Sequence, residues 1–226
     1  MAAGLTELFY PSLCVACERK LFVGERFICL FCLQDLPRTN YHLDTGNKIA
    51  QLFWGRAEVE YATAWLYFRK GSRYRKLIHY LKYKGLKEIG ESMGLLFGSE
   101  IRDSVFNEAD ILIPIPLHKK RLKARGYNQS EWIARGLSKA LGKPLLTDNL
   151  MREKFTSTQT QKTRFERWKN VEGIFAAMRS EEITGRHILL VDDVVTTGAT
   201  LEAAIHALLD AGAAKVSIAA LAVADN

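Results

Sequence analysis

Apolar and polar positions alternate along most of the chain after residue 60 in an order typical of an α/β domain. Short β-branched or aromatic runs predict strands, and apolar residues three or four positions apart predict helices. The predicted strands cover 62–68, 110–116, 171–176, 187–192 and 216–223, with a further extended segment at 144–146. The predicted helices cover 74–83, 87–102, 131–141 and 201–209. This alternation favours a mostly parallel, twisted sheet flanked by helices.

The N-terminal segment lacks this pattern and carries all four cysteines of the chain. They form two CxxC pairs separated by eleven residues: Cys14, Cys17, Cys29 and Cys32. Four thiolates at this spacing can converge on one zinc ion, as in zinc ribbons. Two disulfides suit an oxidising compartment and a thioredoxin-type pair needs a βαβ context, so zinc is favoured, with an iron–sulfur cluster as the open alternative. Because four protein ligands close the coordination shell, we expect a structural zinc.

The change of pattern predicts two units. Residues 1–50 are a small zinc-binding module, and residues 51–226 are an α/β domain in which 51–87 is a candidate hood segment. With 226 residues, 48% of them hydrophobic, the chain can bury a full core. Its apolar runs are far shorter than the roughly 18 residues that a membrane span needs, and no basic stretch indicates a signal peptide. We therefore expect a cytoplasmic protein without a membrane span.

The segment 187–200 carries the strongest chemical signal. Its strand delivers two adjacent carboxylates, Asp192 and Asp193, to a loop in front of a helix. The loop supplies hydroxyls, a close backbone approach and helix N-terminal N–H groups through Thr196, Thr197, Gly198, Ala199 and Thr200. Such a loop can hold a phosphate, while the carboxylates accept hydrogen bonds from sugar hydroxyls or contact a divalent cation. The alternative is a helix start at which Asp and Thr only cap the helix.

A second candidate site lies in the basic segment 118–125, which contains five Lys or Arg, one His and no acid. We expect a loop here that ends at Gly126. The candidate ligands of an anion are Lys119, Lys120, Arg121 and Arg125. Together they could bind a diphosphate, and the two arginines could stabilise the charge that develops on it as it leaves. An exposed basic loop without a ligand is the alternative.

A third candidate lies between Arg69 and Lys87, where eight Lys or Arg occur with no acid. Tyr74, Tyr80 and Tyr83 are interleaved with these cations, and Tyr67 and Phe68 come directly before them. This composition can bind single-stranded nucleic acid, with phosphates on the cations and bases on the rings. The candidate residues are Arg73, Tyr74, Arg75, Lys76 and Lys82. A helix with an aromatic face in the core and a basic face in solvent is an equally good interpretation, and the net charge of +7 does not decide between them.

The order of these motifs resembles the ComF family of bacteria, whose best-known members act in DNA uptake during natural transformation. The resemblance runs from the first cysteine pair to the last strand. In chain order it rests on the CxxC pairs, Leu81-Lys-Tyr83, Pro116-Leu-His-x-x-Arg-x-x-x-Arg-Gly-Tyr-Asn-Gln-Ser130, Thr156-x-x-Gln159 with Arg167 and Asn170, and Val191 to Thr200. The last of these loops also resembles the loop of type I phosphoribosyltransferases that binds 5-phosphoribosyl-1-diphosphate (PRPP).

The resemblance implies a ligand and roles for the matching residues. Asp192 and Asp193 would hold the ribose 2′ and 3′ hydroxyls of PRPP, residues 196–200 would grip its 5-phosphate, and 118–125 would face its diphosphate, bridged by Mg²⁺. A lid would lie at 154–167, and its residues that could reach the ligand are Thr158, Gln159, Gln161 and Arg164. A plain polar surface loop is the alternative for that segment.

Three functions follow as hypotheses from the residues and the resemblance together. The first is a PRPP-dependent transferase, in which a nitrogen acceptor displaces diphosphate from C1 of the ribose and no side-chain nucleophile is needed, as in nucleotide metabolism or salvage. The second is a protein of DNA uptake that binds single-stranded DNA, with PRPP as effector or co-substrate. The third is a non-catalytic module in which the cysteine segment and residues 54–65 dock a helicase or another competence protein.

Overall fold

The computed structural model describes residues 11–152 and 174–225. The strands are β1 (Ala62–Phe68), β2 (Ile111–Pro114), β3 (Leu150–Arg152), β4 (Phe175–Ala177), β5 (His187–Val195) and β6 (Lys215–Ala224). The α-helices are α1 (Leu30–Gln34), α2 (Lys48–Gln51), α3 (Arg75–Tyr83), α4 (Glu88–Ile101), α5 (Lys119–Arg125), α6 (Gln129–Leu141) and α7 (Ala199–Asp210). Short 3-10 helices cover Tyr41–Leu43, Val105–Glu108 and Ser180–Glu182. None of the described helices is long and apolar enough to cross a bilayer.

The central sheet has four parallel strands in the order β1-β6-β5-β2. A parallel bridge between Leu112 and Leu145 lays the predicted extended segment 144–146 beside β2. The short strands β3 and β4 form a separate antiparallel pair. The predicted α/β fold with a mostly parallel sheet flanked by helices is confirmed, and all four strands of the main sheet end at the edge where loops can build a ligand site.

Both faces of the sheet are covered, which explains why its strands read as nearly continuous apolar runs. In β5, Leu189 and Val191 belong to the core that also holds α4 and α6, while Ile188 and Leu190 belong to the core on the side of α7, and all four are fully buried. Side chains of successive strand residues point to opposite faces, so one strand serves both cores. This double burial fixes the register of β5 and, with it, the position of the loop that follows.

Helices α4 and α6 approach each other through glycines. A Cβ atom at Gly94 would lie 2.1 Å from the Ile133 carbonyl oxygen, and one at Gly136 would lie 2.1 Å from the Glu91 carbonyl oxygen. Only glycine allows the two backbones this contact. The contact sets where the first turn of α6 sits, and that turn contributes to the functional site.

The prediction of a loop at 118–125 is wrong, because this segment is helix α5. Lys, Arg, Leu and Ala are good helix formers, and few apolar residues are needed when a helix lies on the surface. The ring nitrogen Nδ1 of His118 accepts a hydrogen bond from the Lys120 backbone N–H at 3.2 Å and caps the first turn. Gly126, with a φ of 80°, ends the helix in the left-handed region, as a C-terminal glycine does.

The cysteine segment packs directly onto the α/β domain rather than standing apart from it. Ile28 and Leu36 share one buried core with Trp65 of β1 and Leu77 of α3. The indole N–H of Trp65 donates to Glu100 at 2.8 Å, and Arg38 pairs with the same carboxylate at 2.7 Å. The four-cysteine segment therefore has an extensive apolar and polar interface with the start of the sheet.

Candidate functional site

A cavity of about 420 Å³ opens at the carboxyl ends of β5, β2 and β1. Its walls come from α3, α5, the start of α6 and the segment after β5. The lining combines predicted and unpredicted residues: Phe68, Arg75, Ile78, His79, Lys82, Tyr83, Ile115, Pro116, Leu117, Arg121, Arg125, Ser130, Arg152, Asp192, Asp193, Val194, Thr196 and Thr200. The structure thus brings the acidic pair, two loop threonines and two arginines of α5 to one space.

The two carboxylates are held in different ways. Asp192 Oδ1 accepts hydrogen bonds from the Ser130 hydroxyl at 3.0 Å and from the backbone N–H of Asp193 at 2.8 Å. Asp193 Oδ2 pairs with Lys82 Nζ at 2.9 Å, and both of these side chains are largely buried, with exposures of 14% and 20%. Desolvation, and then the charge on Asp193, raise the pKa of Asp192 to about 7. Near neutral pH the Asp192 carboxyl is therefore divided between its protonated and ionised forms, and the ionised form accepts hydrogen bonds from hydroxyls.

The raised pKa of Asp192 predicts a pH dependence of stability. Because the folded-state pKa of about 7 exceeds the usual value of 3.8, the folded protein binds more protons than the unfolded chain between these values, and stability falls as pH rises through this window. Asp192→Asn removes the titration, so the free energy of unfolding of the variant relative to wild type should rise by roughly 2.5 kcal/mol between pH 5 and 7.5. Urea unfolding of both proteins at each pH measures this difference, and a constant difference would contradict the assignment.

The loop after β5 forms a second, small cavity of about 40 Å³, lined by residues 194–201 together with Asp192. Gly198 has a φ of 78° and caps α7, and a Cβ atom there would lie 3.1 Å from the ring of Phe53. Arg56 donates to the Thr197 carbonyl at 3.1 Å and pairs with Glu202 of α7. Phe53 and Arg56 therefore support the loop from one side, while Thr196 and Thr197 are exposed.

The cationic wall of the cavity comes mainly from two arginines of α5. Arg121 and Arg125 line the cavity, whereas its described lining does not include Lys119 or Lys120, which are exposed on the first turn of the helix. Arg152 of β3 joins the wall from the other side. Burial, followed by the charge of Arg121, lowers the pKa of the Arg152 guanidinium. This side of the cavity is suited to an anion.

Helix α3 carries the residues predicted to bind nucleic acid, and several of them contact the cysteine segment instead. The Tyr74 hydroxyl donates to Asp35 at 2.8 Å, and Arg73 forms an ion pair with the same carboxylate. Lys76 Nζ lies 2.6 Å from Glu18 Oε1. These contacts hold the start of α3, and the two residues before it, against the four-cysteine segment.

The opposite side of α3 faces the cavity. Arg75, Ile78, His79 and Lys82 line it, and Lys82 reaches Asp193. The five residues predicted as one nucleic-acid surface are therefore divided between two surroundings. Phe68 and α3, which belong to the candidate hood segment, line the cavity, and the contact of Lys82 with Asp193 is a feature that the amino-acid pattern alone did not indicate.

The four cysteines form a compact cluster. Their sulfur atoms all lie within 4.8 Å of one another, and those of Cys17 and Cys29 are 3.7 Å apart. Four thiolates around zinc at a Zn–S distance of about 2.3 Å would be separated by roughly 3.8 Å, so the cluster fits a tetrahedral metal. Burial disfavours the Cys14 thiolate, but backbone hydrogen bonds from Cys29, Cys17 and Ala16 outweigh it and lower the pKa of Cys14 to about 7. The cluster could hold a structural metal.

The predicted lid at 154–167 lies outside the described residues. Its ligand candidates and the Thr156–Gln159 motif lie outside them as well.

Several functional positions escaped the sequence analysis. Ser130 and Arg152 line the cavity, and Phe53 and Arg56 support the loop. Ser130 ends the Gly-Tyr-Asn-Gln-Ser motif, which was a usable signal. The other three are single residues in unremarkable stretches, and only the tertiary fold brings them to the site.

The parallel sheet, the acidic pair and the threonine loop define a domain of the phosphoribosyltransferase class. In agreement, the family described as "Phosphoribosyl transferase domain" matches residues 127–226. Solved structures similar to part of the chain include the allosteric regulatory enzyme of purine biosynthesis, with a TM-score of 0.43, 22% identity and coverage of 59% of this chain and 26% of that one. Another is the purine phosphoribosyltransferase from Pyrococcus horikoshii, with a TM-score of 0.37, 20% identity and coverage of 63% and 76%.

Related proteins place the chain more closely, two of them matching over nearly their whole length and a third over about half. DNA utilization protein YhgH of Escherichia coli strain K12 is 30% identical over 93% of this chain and 96% of its own length. Competence protein F of Haemophilus influenzae is 26% identical over 95% and 98%, and competence protein ComFC of Bacillus subtilis is 35% identical over 60% and 54%. The chain belongs to the ComF family, as its motifs indicated.

Proposed function

We propose that the cavity binds PRPP with Mg²⁺ and that the protein is a PRPP-dependent phosphoribosyltransferase or a PRPP-responsive binding protein of DNA uptake. The observation that carries the proposal is the convergence of Asp192, Asp193, the Thr196–Thr200 loop and two arginines on one cavity. A ribose ring over the acidic pair would direct its 5-phosphate to the N-terminus of α7 and its diphosphate to α5. Each chemical group of PRPP then has a complementary partner.

The chemistry of transfer would depend on placement and charge. A nitrogen acceptor would form a bond to C1 of the ribose as the C1–oxygen bond to diphosphate breaks, and the electron pair of that bond would leave with diphosphate. Arg121 and Arg125 would stabilise the charge that develops on the leaving group. The Ser130 hydroxyl and the Asp193 N–H hold Asp192 in place, so the ribose hydroxyls would meet a preorganised acceptor.

Two metals belong to this proposal. Mg²⁺ would neutralise diphosphate charge, and the carboxylates of Asp192 and Asp193 are the cavity's hard oxygen ligands for such a cation. Zinc would occupy the four-cysteine cluster in a reducing cytoplasm, where free thiols persist. Because all four zinc ligands come from the protein, this metal would have a structural role and take no part in transfer.

Calorimetric titration tests the proposal. PRPP with Mg²⁺ should bind the wild-type protein in a 1:1 ratio, and ribose 5-phosphate, which lacks the diphosphate, should bind more weakly. Release of diphosphate in the presence of candidate nitrogen acceptors would then separate a transferase from a binding protein. An absence of heat with PRPP across a range of Mg²⁺ concentrations would refute the proposed ligand.

A role in handling single-stranded DNA is supported by a second groove and by the names of the relatives, which include a DNA utilization protein and competence proteins. The groove has a volume of about 570 Å³ and continues from the cavity. Its described lining contains three cations, two tyrosines and no acid: Lys82, Tyr83, Gly85, Arg121, Ala124, Arg125 and Tyr127. Cations beside aromatic rings suit a phosphate backbone with stacked bases.

The salt dependence of DNA binding tests this placement. Replacing Arg121 and Arg125 with serine should lower the affinity for a single-stranded oligonucleotide and reduce the slope of log K against log salt by about 0.7 for each lost phosphate contact. Replacing Arg73 and Lys76, which already pair with Asp35 and Glu18, should leave the slope unchanged. If only the Arg73 and Lys76 variant binds DNA more weakly, the DNA-binding surface lies at the N-terminal end of α3 instead. If both variants bind DNA as wild type does, the groove is not the DNA-binding site.

A further inference from the structure

Gln129, the first residue of α6, is fully buried although one end of its amide has no partner. Its Oε1 accepts a hydrogen bond from Arg125 Nη1 at 2.8 Å, and its exposure is 0%. Among the described residues, no acceptor lies within hydrogen-bond distance of its Nε2. A guanidinium can only donate, so the amide must turn its oxygen to Arg125 and its nitrogen into the interior. A buried polar group that stays half-satisfied is costly, which calls for a functional reason.

Tyr83 holds Arg125 from another direction. The guanidinium carbon of Arg125 lies 5.2 Å from the centre of the Tyr83 ring, within the range of a cation–π contact. Tyr83 is the last residue of α3, and the Tyr127 hydroxyl donates to the Leu81 carbonyl, which joins the end of α3 to the turn between α5 and α6. Two separate elements therefore fix one guanidinium at the wall of the cavity.

Ser130, the residue after Gln129 on α6, positions a side chain on the acidic side of the cavity. Ser130 donates to Asp192, so consecutive residues of one helical turn set the cationic wall and the acidic pair. The close contact of α4 with α6 fixes this turn in space. Arg121, one turn before Arg125 on the same helix, is exposed. Of these two arginines, Arg125 is therefore the one whose guanidinium is held by neighbouring side chains of the described residues.

We propose that Gln129 and Tyr83 are positioning residues that fix Arg125 for recognition of a diphosphate, and that this clamp lets the site distinguish a diphosphate-bearing ribose from a ribose monophosphate. The inference rests on the proposed function, since it assigns the partner of Arg125 within the PRPP site. It adds that the specificity for diphosphate depends on two residues that act by holding the Arg125 guanidinium in place.

The energetics of Gln129 give the inference a distinctive signature. Methionine has nearly the same length and volume as glutamine and leaves no buried amide nitrogen without a partner. Gln129→Met should therefore leave the melting temperature unchanged or raise it, while PRPP binds roughly five- to tenfold more weakly because Arg125 loses its anchor. If Gln129 were needed only for folding, Gln129→Met would lower the melting temperature and leave the PRPP affinity of the folded protein unchanged.

The experiment compares PRPP and ribose 5-phosphate binding by calorimetry, with Mg²⁺, in full-length wild type, Gln129→Met, Tyr83→Leu and Tyr83→Phe. We expect Gln129→Met and Tyr83→Leu to weaken PRPP binding and to leave ribose 5-phosphate binding within about twofold of wild type. Tyr83→Phe keeps the ring and should retain most of the PRPP affinity. Lys139→Met, an exposed change on the same helix α6, is the matched control.

The outcomes separate this inference from the proposed function. If wild type binds PRPP and both Gln129→Met and Tyr83→Leu match it, the clamp is refuted and the PRPP site stands. If Gln129→Met weakens the binding of PRPP and of ribose 5-phosphate equally, Gln129 shapes the cavity as a whole and its assignment to diphosphate recognition fails. If wild type does not bind PRPP, the proposed function itself fails. Should Gln129→Met not fold, Tyr83→Leu tests the clamp from the side of α3.

Discussion

Replacing Asp192 and Asp193 together with asparagine is expected to abolish measurable PRPP binding. Each carboxylate would lose charge-assisted hydrogen bonds to ribose hydroxyls, and the site would lose its oxygen ligands for Mg²⁺. At roughly 1.5–3 kcal/mol for each such bond, the combined loss should weaken PRPP by about 100-fold or more. Calorimetric titration of PRPP with Mg²⁺ into both proteins measures the change. Equal binding by wild type and the double variant would refute the assignment of the acidic pair.

The fold should survive this double substitution, which makes the result interpretable. Removing the charge of Asp193 relieves the repulsion that contributes to the raised pKa of Asp192. Lys82 loses its ion-pair partner, but its side chain is 20% exposed and can turn its ammonium to solvent. Asp210→Asn, an exposed substitution at the far end of α7, is a control that should bind PRPP as wild type does. A collapse of the melting temperature in the double variant would indicate a structural role instead.

Removing the metal from the four-cysteine cluster should have the largest effect on stability. From residue 11 onward, the described part of the cysteine segment contains one helix of five residues and isolated bridges, so we expect its order to depend on metal ligation and on packing against β1 and α3. The free energy of binding a structural zinc is folding free energy. Cys32→Ser, at a fully buried ligand, should cost several kcal/mol and lower the melting temperature by roughly 10 °C.

Metal content and thermal unfolding of the same samples check this expectation. Wild type should contain one zinc for each chain by elemental analysis, and a chelator should reproduce the effect of Cys32→Ser. Leu30→Ser alters an exposed residue of the same segment and should leave both metal content and melting temperature close to wild type. A metal-free protein with an unchanged melting temperature would show that the cysteines are not a structural metal site.

Local patterns were sufficient to predict most of the sheet. The predicted strand 62–68 coincides with β1, and the strand that delivers Asp192 was found because both of its faces are buried and its residues are therefore uniformly apolar. The acidic pair and the threonine loop were found for a related reason. A strand, a turn and a helix start follow one another in the chain, so their chemistry is visible in consecutive residues.

Contacts between distant segments could not be predicted in the same way. The pairing of Lys82 with Asp193 and the bracing of Gly198 by Phe53 join residues more than a hundred positions apart. Helix α5 was not predicted because its residues are mostly cationic and show no apolar periodicity. The helix propensity of these residues was the one local signal for a helix, and it is a weak one. The exposed position of Lys119 and Lys120 follows from this helix, which presents only part of its basic surface to the cavity.

Helix α3 has consequences for how this chain can change in evolution. Lys76 in its first half, with Arg73 and Tyr74 just before it, contacts the cysteine segment, and Lys82 in its second half reaches the acidic pair. The segment 73–83 thus satisfies two sets of constraints at once. A lineage that lost the cysteines would leave these polar anchors without partners and disturb a wall of the cavity. We therefore expect the four-cysteine segment and the sequence of α3 to be retained or lost together among related genes.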